Sequence, residues 1–231
     1  MKLYGYRTRT FVKKLINDLW TIYDYGRYHP IRGLREQSYR ETIDYIMERL
    51  PGVMAFSTER GLMDYTLGKV SVDGHMLEFG VYTGGSINYI AKKVAGLVHG
   101  FDSFEGLPDD WDGFDRPKNS FSLSKRVPSV RKNVVLHAGW FDATLPKWAA
   151  ENPGPVSFIH VDCDIYSSTK CVFDILSDRI VPGTIILFDE YFNVPGWKLH
   201  EFKAFQEYIS QRGVHYDYIG YSVKEVAIKI I

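Results

Sequence analysis

The chain has 231 residues, 45% of them hydrophobic and 24% charged, with 28 Lys+Arg balancing 28 Asp+Glu. That length suits one sizeable α/β domain with a terminal extension, and that composition excludes a disordered chain. Balanced charge leaves no field to draw nucleic acid or an anionic membrane, no run approaches eighteen apolar residues, and the N-terminus lacks the apolar core of a secretory signal, so a cytoplasmic protein with a small-molecule partner is expected.

Residues 1–55, rich in Arg and Tyr, contain helical stretches around Thr10 to Tyr25 and Gln37 to Leu50, separated by a turn at HPIRG, 29–33. They read as an N-terminal helical extension or lid, with a surface on which a second copy of the chain can pair. From Ser57 the run STER can start a helix as a cap, with Glu59 in the first turn, and the helix would run to about Val70. Residues 56–231 then alternate short apolar strands with helices, the signature of a parallel sheet covered on both faces. Strands are expected at His75–Gly80, Val98–Ser103, Val134–Ala138, Val156–Asp162, Thr184–Phe188, Tyr216–Gly220 and Glu225–Ile230. Helices fit Gly85–Ala95, Ser168–Arg179 and Leu199–Arg212, with a weaker one near Ser124–Arg131. Only a short Ser-Val-Lys turn joins the last two strands, so they form an antiparallel pair. Cys163 and Cys171 are the only cysteines, too few for a disulfide framework, and are expected to be reduced.

Four runs carry chemistry. LEFGVYTGGS, 77–86, takes an apolar strand through a glycine turn into a helix. Gly80, Gly84 and Gly85 let backbone approach a ligand and the helix N-terminus offers free N–H groups, while Glu78 is placed to meet an ammonium group. The spacing is not GxGxxG, which weakens a dinucleotide reading. GFDSFEGLP, 100–108, ends the next strand in Asp102, suited to accept hydrogen bonds from both ribose hydroxyls of a nucleoside. FIHVDCDIYSST, 158–169, and IILFDEYF, 185–192, each end an apolar strand in two carboxylates at its C-terminal edge, where open α/β sheets place their ligands. On neighbouring strands, Asp162, Asp189 and Glu190 converge, and three carboxylates so close call for a cation; an all-oxygen set suits Mg²⁺ or another hard divalent ion. The alternative leaves Asp162 and Asp164 as helix caps and the other two acids solvated.

These runs, with AGWFDATLP (138–146) and VPGTIILFDEY (181–191), resemble the macrocin O-methyltransferase family, metal-dependent enzymes that methylate sugar hydroxyls on antibiotics. The likeness covers about Ser57 to the C-terminus. It implies a Rossmann-like class I methyltransferase fold, a mostly parallel seven-stranded sheet with a terminal antiparallel strand, with residues 56–231 binding S-adenosylmethionine. Asp162, Asp189 and Glu190 become metal ligands and Asp164 the general base. The implied cofactor contacts are Glu78, Gly80, Tyr82, Gly84, Gly85, Ser86, Asp102, Ser103, Gly139, Trp140 and Asp162, with Trp140 stacking on adenine or packing beside it. Two departures stand out: the family's second aspartate after the strand is Glu190 here, and residues 1–55 match no motif.

His137 and His160 are alternative bases by chemistry, but both fall inside strands and read as satisfied core histidines. His200 is expected to face away or cap its helix, and the acidic, aromatic segment 109–116 to form a loop over the cleft. Two other functions fit part of the pattern. A nicotinamide-dependent sugar oxidoreductase would need a Tyr-x-x-x-Lys helix and a GxGxxG turn, and a non-catalytic cofactor-binding protein would share the fold without the chemistry. A methyltransferase that uses no metal is the third alternative.

Overall fold

The computed structural model describes Ile16, residues 29–111 and residues 116–231. Apart from Ile16, the helix expected around Thr10 to Tyr25 lies outside the described residues, as does the centre of the 109–116 loop. The first described helix, α1 (Pro30–Arg49), begins at the segment read as a turn. Pro30 stands in the first turn, where its missing N–H costs nothing, and the ring of His29 accepts a hydrogen bond from Ile31 N (3.1 Å). Helix α2 (Glu59–Leu67) is capped as expected, Gly61 N donating to Thr58 Oγ1 at 3.1 Å.

Seven strands follow: β1 (His75–Phe79), β2 (Val98–Asp102), β3 (Val134–Ala138), β4 (Val156–Val161), β5 (Ile180–Phe188), β6 (Tyr216–Tyr221) and β7 (Val226–Ile230). Four helices lie between them: α3 (Gly85–Lys93), α4 (Phe141–Glu151), α5 (Tyr166–Leu176) and α6 (Glu201–Arg212). All seven expected strands are present. Their order is β3-β2-β1-β4-β5-β7-β6, parallel except for β7, which runs antiparallel to both β5 and β6. β5 begins at Ile180, before the expected Thr184, because residues 181–184 bulge out of register against β4. The weak helix expected near Ser124–Arg131 is absent, and Ser124 and Lys125 both have positive φ, which no right-handed helix allows.

Helix α4 was not expected. It contains Pro146 and its N-cap, Trp140, offers no capping side chain, yet it buries Leu145 and Trp148 against the sheet. Packing overrides the local signal there. One core lies between the sheet and α4, α5 and α6, and includes Leu145, Phe173, Phe205 and also Leu50 just after α1. The other holds Leu62 and Met63 of α2 and Ile87 and Ile90 of α3 against the opposite face. The backbone of residues 54–56 runs beside β6, Phe56 N donating to Tyr221 O (2.8 Å) and Tyr221 N to Met54 O (3.1 Å). Among the described residues no helix is long and apolar enough to cross a membrane.

Candidate active site

The C-terminal ends of β1, β2, β4 and β5 open into a cavity of about 480 Å³, within the usual size of a small-ligand site. The β1–α3 turn forms its floor. Gly80 has φ +89°, and a Cβ there would lie 1.6 Å from the carbonyl oxygen of Asp162, so only glycine lets β1 and β4 stay together at this point. Asp102 ties the same turn to β2: Val81 N and Tyr82 N donate to its Oδ2 (2.8 and 2.7 Å) and Phe104 N to its Oδ1 (2.7 Å). A carboxylate has about four acceptor positions, so three are used and room remains for one further donor. That is one ribose hydroxyl fewer than the sequence suggested.

Gly80, Tyr82, Asp102, Ser103, Trp140, Asp162, Asp164 and Glu190 line the cavity together. Glu78, Gly84, Gly85, Ser86, Gly139 and Asp189 do not. Glu78 is fully buried beneath the turn, with Ser86 Oγ donating to its Oε1 (3.0 Å) and His160 Nδ1 paired with its Oε2 (3.0 Å). It is committed to its neighbours and not presented to an ammonium group. Strand register explains this, since Glu78 on β1 stands directly beside His160 on β4. Gly84 lies under Pro128 and Val130, away from the opening.

Asp162 and Asp164 follow β4, and neither caps α5, whose N-cap Ile165 makes no side-chain cap bond. Asp164 holds φ +65°, a strained conformation for a residue other than glycine. Two sets of possible ligand atoms share Asp162: Asp162, Asp164 and Glu190 form one, and His160, Asp162 and Asp189 the other, each within 4.8 Å. Burial first, and then the charge of Asp189, pushes the Asp162 carboxyl well above the ordinary range; burial followed by Glu190 does the same to Asp164. Glu190 is raised likewise, and its Oε2 is buried with no hydrogen-bond partner. Crowded, buried acids with an orphaned oxygen among them fit a hard divalent cation.

Two groups at this site were not anticipated. Lys224, in the β6–β7 turn, places Nζ 2.6 Å from Asp189 Oδ2 and 2.5 Å from Glu190 Oε1. Glu201, at the start of α6, is fully buried and accepts from Glu190 N at 3.1 Å. Lys224 has no local sequence signal, since only the β5–β7 register brings its turn beside the two acids. His200 stands at the N-cap of α6, one of its two expected places, without a side-chain cap bond, and it does not face away: it is buried with its ring 6.1 Å from that of Trp111. Trp111 packs with Leu107 and Ile165 and lines the cavity, so the described part of the 109–116 loop does cover the cleft. His137 stacks on Phe101 with ring centroids 4.5 Å apart. Cys163 and Cys171 are both free thiols beside the cavity.

Residues 77–191 match the protein family described as a methyltransferase domain. The 8-demethyl-8-(2,3-dimethoxy-alpha-L-rhamnosyl)-tetracenomycin-C 4'-O-methyltransferase of Streptomyces olivaceus is 29% identical to this chain, the match covering 52% of this chain and 54% of the relative. The chain therefore spans about half the length of that relative. Demethyldecarbamoylnovobiocin O-methyltransferase of Streptomyces niveus is 24% identical, over 80% of this chain and 81% of the relative. The crystal structure of the calicheamicin methyltransferase CalS11 shares the fold, with a TM-score of 0.61 and 21% identity over 86% of this chain and 91% of that one. Residues 77–191 of this chain thus match the methyltransferase domain family, and the chain shares the fold of the calicheamicin methyltransferase structure.

Proposed function

We propose that this chain is an S-adenosylmethionine-dependent O-methyltransferase that acts on a hydroxyl of a sugar or glycosylated natural product, with a divalent cation such as Mg²⁺ at its acidic cluster. The observation that carries this is one cavity lined both by Gly80, Asp102 and Trp140 and by Asp162, Asp164 and Glu190. The sugar acceptor is supported by the likeness to the rhamnosyl-tetracenomycin 4'-O-methyltransferase of Streptomyces olivaceus, and O-methylation by both Streptomyces relatives. The closer likeness to the macrocin O-methyltransferases rests on the segments at 138–146, 161–169 and 181–191.

In this reading Asp102 takes one ribose hydroxyl, the backbone around Gly80 and Tyr82 the rest of the cofactor, and Trp140 the face of its base. Asp162, Asp189 and Glu190 hold the cation, with Glu201 fixing the backbone of Glu190 from behind. When bound, the cofactor supplies an electrophilic methyl group and the cation polarises the acceptor hydroxyl. Asp164, on the cavity wall, takes the hydroxyl proton as general base. The Leu107–Trp111–Ile165 cluster, over the cavity, helps exclude water and orient the acceptor. Residues 1–55 form the acceptor-side extension, though Leu50 joins the main core, and the protein works in the cytoplasm as a single chain or through pairing of that extension.

The test is transfer of a labelled methyl group from S-adenosylmethionine to a panel of nucleotide-linked and glycoside sugars, with and without chelation. Transfer should require Mg²⁺, and Asp164→Asn should lower the turnover rate about 100-fold or more while cofactor affinity is kept. Transfer that survives both chelation and Asp162→Asn would favour a metal-free methyltransferase. Absence of any S-adenosylmethionine binding would remove the proposal altogether.

A further inference from the structure

The acidic site already contains a cation of its own. β7 lies antiparallel to β5 with Val226 opposite Phe188, so Lys224, two residues before Val226, comes level with Glu190. Its position is fixed by backbone, since Tyr191 N donates to Lys224 O at 3.0 Å. From there Nζ reaches Asp189 Oδ2 at 2.6 Å and Glu190 Oε1 at 2.5 Å, and so occupies space between two acids assigned above to a metal. Asp162 and Asp164 make no close ion pair with a Lys or Arg among the described residues, and Glu190 Oε2 is buried without a hydrogen-bond donor. The Lys224 side chain is 32% exposed, so its flexible stem has solvent to move into.

We propose that Lys224 is a built-in counter-cation of the acidic site, holding Asp189 and Glu190 in place when no divalent ion is bound and competing with that ion for both carboxylates. The proposal rests on the assignment of these acids as metal ligands. An ammonium and a divalent ion drawn to the same two carboxylates repel each other, so an incoming ion works against the Lys224 contacts, and the affinity for metal is set against that repulsion. A lysine that only pins the hairpin to β5 would have no such effect on metal binding.

Mn²⁺ binding to the full chain, measured by electron paramagnetic resonance without cofactor or acceptor, separates these cases. Lys224→Met should bind Mn²⁺ about tenfold tighter than the parent, or more. Lys224→Arg, which keeps the charge, should bind no tighter than the parent. Lys224→Gln serves the same purpose as Lys224→Met if the latter does not fold. In the unaltered protein, reductive methylation of Lys224, followed by peptide mass, should accelerate when Mn²⁺ is added. Equal or weaker binding by the uncharged variants overturns the proposal but leaves the acids as ligands; an unchanged methylation rate in a parent that binds Mn²⁺ does the same. Failure of the parent and both uncharged variants to bind Mn²⁺ overturns the proposal and the metal assignment together.

Discussion

At the scale of single residues, the site depends on a few positions that admit no substitute. Gly80 is one, because its positive φ and its contact with the Asp162 carbonyl both forbid a side chain. Gly80→Ala should destabilise the fold by about 2 kcal/mol or more, read as a lower urea midpoint, and should abolish cofactor binding. The acids were legible in the sequence because each closes an apolar strand at the edge where such sheets place ligands. Asp102, Asp162, Asp164 and Glu190 all line the cavity as that pattern implies. Glu78 was misjudged because its partner, His160, is 82 residues away and faces it only through the β1–β4 register. Lys224 and Glu201 were invisible for the same reason: nothing local in the Ser-Val-Lys turn or in the apolar periodicity of α6 says which strand end lies beside them.

At the scale of elements, the strands were read correctly because continuous apolar runs bounded by turns have few other uses in a chain of this kind. Helix ends were less legible. α2 carries its own signal, and Thr58→Ala should cost about 1 kcal/mol through loss of the Gly61 cap bond, measurable as a lower thermal midpoint with unchanged cofactor binding. α1 and α4 carry weaker ones. A proline marks a turn as often as a first helical residue, so Pro30 was read the wrong way, and α4 forms around Pro146 because Leu145 and Trp148 reach the core. The positive φ of Ser124 and Lys125, which excludes the weak helix expected there, leaves no trace in residue type.

At the scale of the whole molecule, the sheet gathers its titratable groups into two sets. The C-terminal edge concentrates carboxylates, while His75, His99 and His137 lie on adjacent strands with Trp148 Nε1 donating to His99 Nδ1 at 3.2 Å. Burial, and then His137 and His75, push the pKa of His99 from 6.5 down to about 4. Between those values the unfolded chain binds more protons than the folded one, so stability rises with pH across that window and falls as acid is added. Urea midpoints taken above, within and below it should drop with acid in the parent and drop less in His99→Gln. An equal drop in both would show that this ring does not carry the effect.

The short run of backbone at 54–56 has a consequence for how the protein behaves at high concentration. β6 is the outermost strand on its side of the sheet, and an uncovered outer strand offers a row of free N–H and C=O groups to any similar strand it meets. By taking up the N–H and C=O of Tyr221, residues 54–56 leave less of that row available for another molecule to extend the sheet. The segment that joins α1 to α2 therefore doubles as a guard against edge-to-edge aggregation, a duty independent of whatever the cavity accepts.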